Sequence, residues 1–146
     1  MTPIAGTDYL ETEVMTASPQ RLQLMLIDAA VRSASQARQF LAQQDKQAAL
    51  APNLRAQRIM AELLSGLKPE PESQDGLVGR VASVYLFIYR SLIAANAEHS
   101  TARLDDALRV LEIERETWRQ VCEQLGAEHH ESEAGSALSL GTSFEA

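Results

Sequence analysis

Residues 17–42 read ASPQRLQLMLIDAAVRSASQARQFLA, and this stretch decides the fold. Ser18 can cap a helix with its hydroxyl, and Pro19 falls at the first helical position, where no amide hydrogen is needed. From Gln20 to Ala42 no Gly or Pro interrupts the run, so the spacing predicts a helix to about Ala42. With residues set about 100° apart, Leu22, Met25, Leu26, Ala29, Ser33, Ala37 and Phe40 form one stripe suited to a core. Leu24, Ile27, Val31, Ala34 and Leu41 form a second stripe away from it, leaving a narrow polar arc of Asp28, Arg32, Ser35 and Gln39. This helix has two faces to bury.

Outward from it, Gln43-Gln44-Asp45 makes a short polar turn. A second helix is predicted from near Lys46 to Leu67, with Pro52 in its first turns and Lys68-Pro69-Glu70-Pro71 as its end. Ser73, Asp75 and Gly76 mark a loop before a third helix of about Leu77 to Ala97. Ser100-Thr101 can cap a fourth that runs to about Leu125, with Gly126 as its stop. Four helices on short loops imply an all-α, antiparallel, up-down four-helix bundle over residues 18–126. An irregular N-terminal arm, residues 1–17, precedes it, and a mobile acidic tail, residues 127–146, follows.

The second helix has an inward set of Ala56, Ile59, Met60, Leu63 and Leu67, and the fourth has Leu104, Leu108, Leu111, Trp118, Cys122 and Leu125. Each reads as a bundle wall. The third helix has an inward set of Val78, Val81, Val84, Tyr85, Ile88, Leu92 and Ala95, and it also carries Leu86, Phe87, Tyr89 and Ile93 on other sides. Only Arg80, Ser83, Arg90 and Ser91 break its apolar surface. Surplus apolar stripes on two helices have two readings: the helices are central, or a patch is kept for a partner or for self-association.

Composition narrows the function. With 20 acidic against 13 basic residues the net charge is −7, which repels a phosphate backbone and an anionic membrane face, so no nucleic-acid partner is expected. No stretch approaches 18 uncharged apolar residues, so no membrane insertion is expected. One cysteine, Cys122, and an N-terminus with neither a basic start nor an apolar run predict a protein of the reducing cytoplasm.

The chain carries little that could do chemistry. No Glu has a His three positions later, as a di-iron bundle requires. His129-His130 with Glu128, Glu131 and Glu133 are near-consecutive residues in a polar tail, which is a poor metal cage. Cys122 lies one turn from Trp118 on an inward stripe and reads as a structural thiol. There is no Gly-rich phosphate loop, nucleophile elbow or HExxH string. No catalytic residue, metal site or cofactor is predicted, and an enzyme is the least supported class.

Several strings, taken in order, resemble the flagellin export chaperone family, FliS. They are Tyr9-x4-Val14 with Thr16-Ala17-Ser18-Pro19, Leu22-x2-Met25-Leu26-x-Asp28-x-Ala30, Asn53-Leu54-x-Ala56-Gln57-x-Ile59 with Glu62-Leu63, Tyr85 with Arg90, Leu92 and Ala95-Asn96, and Arg115-x2-Trp118. Ile27 stands where that family is usually aromatic, and Leu86 where an acidic residue is common. The resemblance implies a helical bundle in the bacterial cytosol that binds the C-terminal segment of flagellin, prevents its premature polymerisation and presents it to the flagellar export gate. It gives the surplus stripes a purpose: partner contacts are expected at Tyr9, Leu24, Ile27, Val31, Leu86, Phe87 and Ile93. The alternative is a structural or adaptor bundle that buries the same stripes in a homodimer.

Overall fold

The computed structural model describes residues 18–68 and 76–143, with side chains described as far as Gly126. The expected N-terminal arm, the loop at 69–75 and the side chains of the acidic tail lie outside the described residues. Among those described there are four helices and no strand: α1 (Pro19–Ala42), α2 (Lys46–Ser65), α3 (Leu77–Glu98) and α4 (Thr101–Ser143). Two compact units divide the chain, one of Met25–Arg115 and the other combining the start of α1 with α4 beyond Arg115.

Two connections use one device. Ser18 opens α1 as expected, its Oγ accepting from the Arg21 amide at 3.1 Å. At the other end Gln44 takes a left-handed conformation, φ 62°. The Asp45 amide then donates back to the Phe40 carbonyl at 2.9 Å and the Gln44 amide to that of Leu41 at 3.0 Å, a Schellman closure of the helix. Asp45 turns at once to the next helix, its Oδ1 accepting from the Ala48 amide at 3.1 Å. His99 repeats the left-handed turn at φ 52°. The Ser100 amide reaches the Ala95 carbonyl at 3.1 Å, and Ser100 Oγ caps α4 through the Arg103 amide at 3.2 Å. In each case one residue ends a helix and its neighbour starts the next, which makes the reversal sharp.

Cross-helix bonds within Met25–Arg115 tie all four helices together. Arg55 of α2 donates to Gln36 of α1 at 3.1 Å, and Asn53 of α2 donates to the Leu92 carbonyl of α3 at 3.1 Å. Arg38 of α1 meets Asp105 of α4 at 2.8 Å. Asn53 is buried, and Gln57 supplies the donor for its other side, Nε2 to Oδ1 at 2.6 Å.

The core corrects the expectation for α1. Leu24, Ile27 and Val31, expected at a partner surface, are buried, with Ile27 at 0% exposure, as are Ala34 and Leu41. From the stripe expected to be core, Leu22, Met25, Leu26 and Ala29 are half-buried and Phe40 is exposed, while Ser33 and Ala37 are buried. The two stripes are the margins of one wide apolar arc. Its middle lies roughly opposite the polar arc of Asp28, Arg32, Ser35 and Gln39, where Ala30, Ala34 and Ala37 are all fully buried. Small residues there let neighbouring helices approach closely, and the large side chains on one flank fill the space beside them.

The other helices follow their expected faces. Ala56, Met60 and Leu63 of α2, Tyr85, Ile88, Leu92 and Ala95 of α3, and Leu104, Ala107 and Leu111 of α4 are buried. Leu125 is exposed and Trp118 and Cys122 are half-buried. The expected stop at Gly126 is overturned, since α4 continues through it to Ser143. A helical Gly costs about 1 kcal/mol relative to Ala, which weakens a helix without ending it. Gly76 is the described glycine with positive φ; Gly126 has none.

Candidate functional site

The most apolar helix is the least enclosed. α3 is the described helix long and apolar enough to cross a membrane by length and composition, yet only 22% of its apolar window is buried. Tyr85, Ile88, Leu92 and Ala95 recur at three- and four-residue spacing and turn one face into the core, as in a bundle helix. On the far side Phe87 is 47% exposed and Ile93 41%, and Leu86 is half-buried between them. A helix apolar on nearly all sides but packed on one leaves an unpartnered apolar face.

Leu86 and Phe87 of that face line an open cleft together with Ser83, Arg90, Ser91 and Ala94 of α3 and Arg103 of α4. Ser83 is turned back on its own helix, its Oγ donating to the Gly79 carbonyl at 2.9 Å. Arg103 lies at the margin and donates to Glu98 at 3.4 Å, both side chains about half exposed. The lining mixes the apolar Leu86, Phe87 and Ala94 with two serines, and its charge is cationic. Such an arrangement can receive a largely apolar segment.

The seven residues expected at a partner surface divide accordingly. Leu86, Phe87 and Ile93 share the open side of α3; Leu24, Ile27 and Val31 belong to the core; Tyr9 lies outside the described residues. Sequence reasoning treated Arg90 as an interruption of the apolar surface and as one point of the family resemblance, and it passed over Ala94 and Arg103. A signal for Arg90 was present: the residues three and four positions away, Leu86, Phe87, Ile93 and Ala94, include no acid that could pair with it. Leu50 and Leu54, one turn apart on α2, are a further exposed apolar pair. No group of three or more metal-ligating side chains occurs among the described residues.

Comparison with known proteins adds an independent line. The profile of a family described as "Flagellar protein FliS" matches residues 1–125. The flagellar secretion chaperone FliS of Bacillus subtilis (strain 168) is 27% identical over 126 residues, covering 86% of this chain and 92% of the relative. The protein of the same description from Salmonella typhimurium is 29% identical over 114 residues, covering 77% of this chain and 82% of the relative.

Proposed function

We propose that this chain, which belongs to the FliS family of flagellar proteins, is a flagellar secretion chaperone of the bacterial cytosol that binds the C-terminal segment of flagellin. The family is one of chaperones and not of enzymes, and both relatives are named as secretion chaperones. The observation that carries the reading is the open side of α3, where Leu86, Phe87 and Ile93 stand outside the core of a net-acidic chain.

The physical logic is coupled folding. A client that is disordered until it binds gives up conformational entropy when it becomes helical, so it needs a long apolar surface in return. Leu86, Phe87 and Ile93 supply part of that surface, and the N-terminal arm with Tyr9 is assigned to its edge by family resemblance. Leu24, Ile27 and Val31 act one step back, holding the bundle on which α3 is displayed. While the client is covered it cannot polymerise, and handover to the export gate requires only that the apolar contact be reversible.

Titrating the full chain with a flagellin C-terminal peptide tests this directly. Saturable 1:1 binding with gain of peptide helicity is the expected result. The rival is a homodimer that buries the same face; sedimentation of the chain alone would show a stable dimer that the peptide fails to dissociate.

A further inference from the structure

Arg90 lines the cleft with no counter-charge among the described residues. Among the described residues no ion pair or hydrogen bond engages it, and its helical neighbours at three and four positions are Leu86, Phe87, Ile93 and Ala94. Arg38, Arg103, Arg109 and Arg119 each meet a carboxylate; Arg32, Arg58, Arg80 and Arg115, like Arg90, do not among the described residues, but of these five Arg90 is the one that lines the cleft. A guanidinium held over apolar side chains is weakly hydrated and presents a fixed fork of donors to any carboxylate that enters.

We infer that the cleft selects a helical client segment bearing one acidic side chain flanked by apolar residues three and four positions away, with Arg90 pairing that carboxylate while Leu86, Phe87 and Ala94 take the apolar flanks. The inference rests on the flagellin reading and names the chemistry by which the cleft recognises its client. Complementary charge argues for this occupant: the only cationic groups of the lining are Arg90 and Arg103, and Arg103 already faces Glu98. One pair in an apolar contact fixes register more than it adds affinity. A segment shifted by one turn would set an apolar side chain against Arg90 and leave its own carboxylate on the apolar flank.

A charge-swap titration tests this with the full chain and a flagellin C-terminal peptide. Arg90→Glu is expected to weaken binding about tenfold or more while the thermal unfolding midpoint stays that of the wild type, because Arg90 is exposed. Peptides in which each Asp or Glu in turn is replaced by Lys should then include one that loses affinity for the wild type and regains it for Arg90→Glu. Arg90→Leu, which keeps the surface apolar, should reduce discrimination among the peptides and serves as the readout if Arg90→Glu fails to fold. Wild-type binding that neither variant alters overturns the inference and leaves the chaperone reading intact. Equal weakening of every peptide with no restoring partner also overturns it, and failure of the wild type to bind any of them overturns both.

Discussion

Arg38 and Asp105 meet in a two-pronged ion pair between α1 and α4, Nε to Oδ1 at 2.8 Å and Nη2 to Oδ2 at 3.3 Å. The hydrogen bonds from Arg38 hold the Asp105 carboxyl below its usual range; slight burial opposes them, and attraction to Arg38 and Arg109 adds to them. Both side chains are more than two-fifths exposed, so water and salt screen the pair. Because the folded-state value is lowered, its stabilisation is present above the ordinary carboxylate value of about 3.9 and is lost as pH falls through the depressed one. Asp105→Asn should therefore lower the unfolding midpoint slightly at neutral pH and not at all in strong acid. Parallel melting curves at both pH values check it, and a difference that persists in acid would show that the pair acts through packing.

Asn53 offers a sharper test, since it is buried and bonds on both sides, to the Leu92 carbonyl and from Gln57. Asn53→Ala removes both partners and should destabilise the bundle by about 1–3 kcal/mol in urea unfolding. Asn53→Asp puts a carboxylate against the Leu92 carbonyl oxygen and should be worse at neutral pH, with partial recovery as the carboxylate is protonated. Equal losses at all pH values would mean that volume, not hydrogen bonding, sets the role of this residue.

The core of α1 separates two residues that look alike in the sequence. Ile27 is fully buried while Phe87 is half exposed, so Ile27→Ala should cost about 2–5 kcal/mol and Ile27→Asp, like Leu63→Asp, should unfold the bundle. Phe87→Asp should keep wild-type circular dichroism and lose client binding. A folded Ile27→Asp variant that no longer binds would return Ile27 to the partner surface.

Much of this fold was legible because capping and periodicity act locally. Ser18-Pro19 and Ser100-Thr101 marked helix starts, Gln43-Gln44-Asp45 marked the turn between the first two helices, and the single-face patterns of α2 and of α4 as far as Leu111 pointed inward as they do. On α1 the apolar arc exceeds half a turn, so local pattern could not tell its margins from its middle. The alanines at that middle matter by letting another helix approach, which is a property of the assembled bundle. Gly126 misled for a related reason: glycine ends a helix when the chain needs a left-handed residue there, and nothing near Gly126 imposes that turn. The open side of α3 was visible as Phe87 and Ile93, while the isolation of Arg90 emerged only once its possible partners on other helices were excluded.

Beyond Gly126 the sequence offers few apolar residues and no strong period, so the tail is expected to be dispensable for the core. A chain ending at Gly126 should lose helical ellipticity from the end of α4 and keep its thermal midpoint. A midpoint lowered by several degrees would show that Leu138, Leu140 or Phe144 packs on the protein.

The last prediction concerns what drives client binding. If apolar burial on α3 and folding of the client dominate, calorimetry with a flagellin C-terminal peptide should give a clearly negative heat-capacity change. Added salt should then cost little affinity, because one pair at Arg90 is a small part of an apolar contact. An electrostatically driven complex with a chain of net charge −7 would require a basic client and would weaken steeply over the same range. Phe87→Asp should shrink the heat-capacity change, whereas Arg90→Leu should leave it nearly unchanged and remove the residual salt dependence. A heat-capacity change near zero, with affinity collapsing between low and moderate salt, would defeat the apolar mechanism even if flagellin proved to be the client.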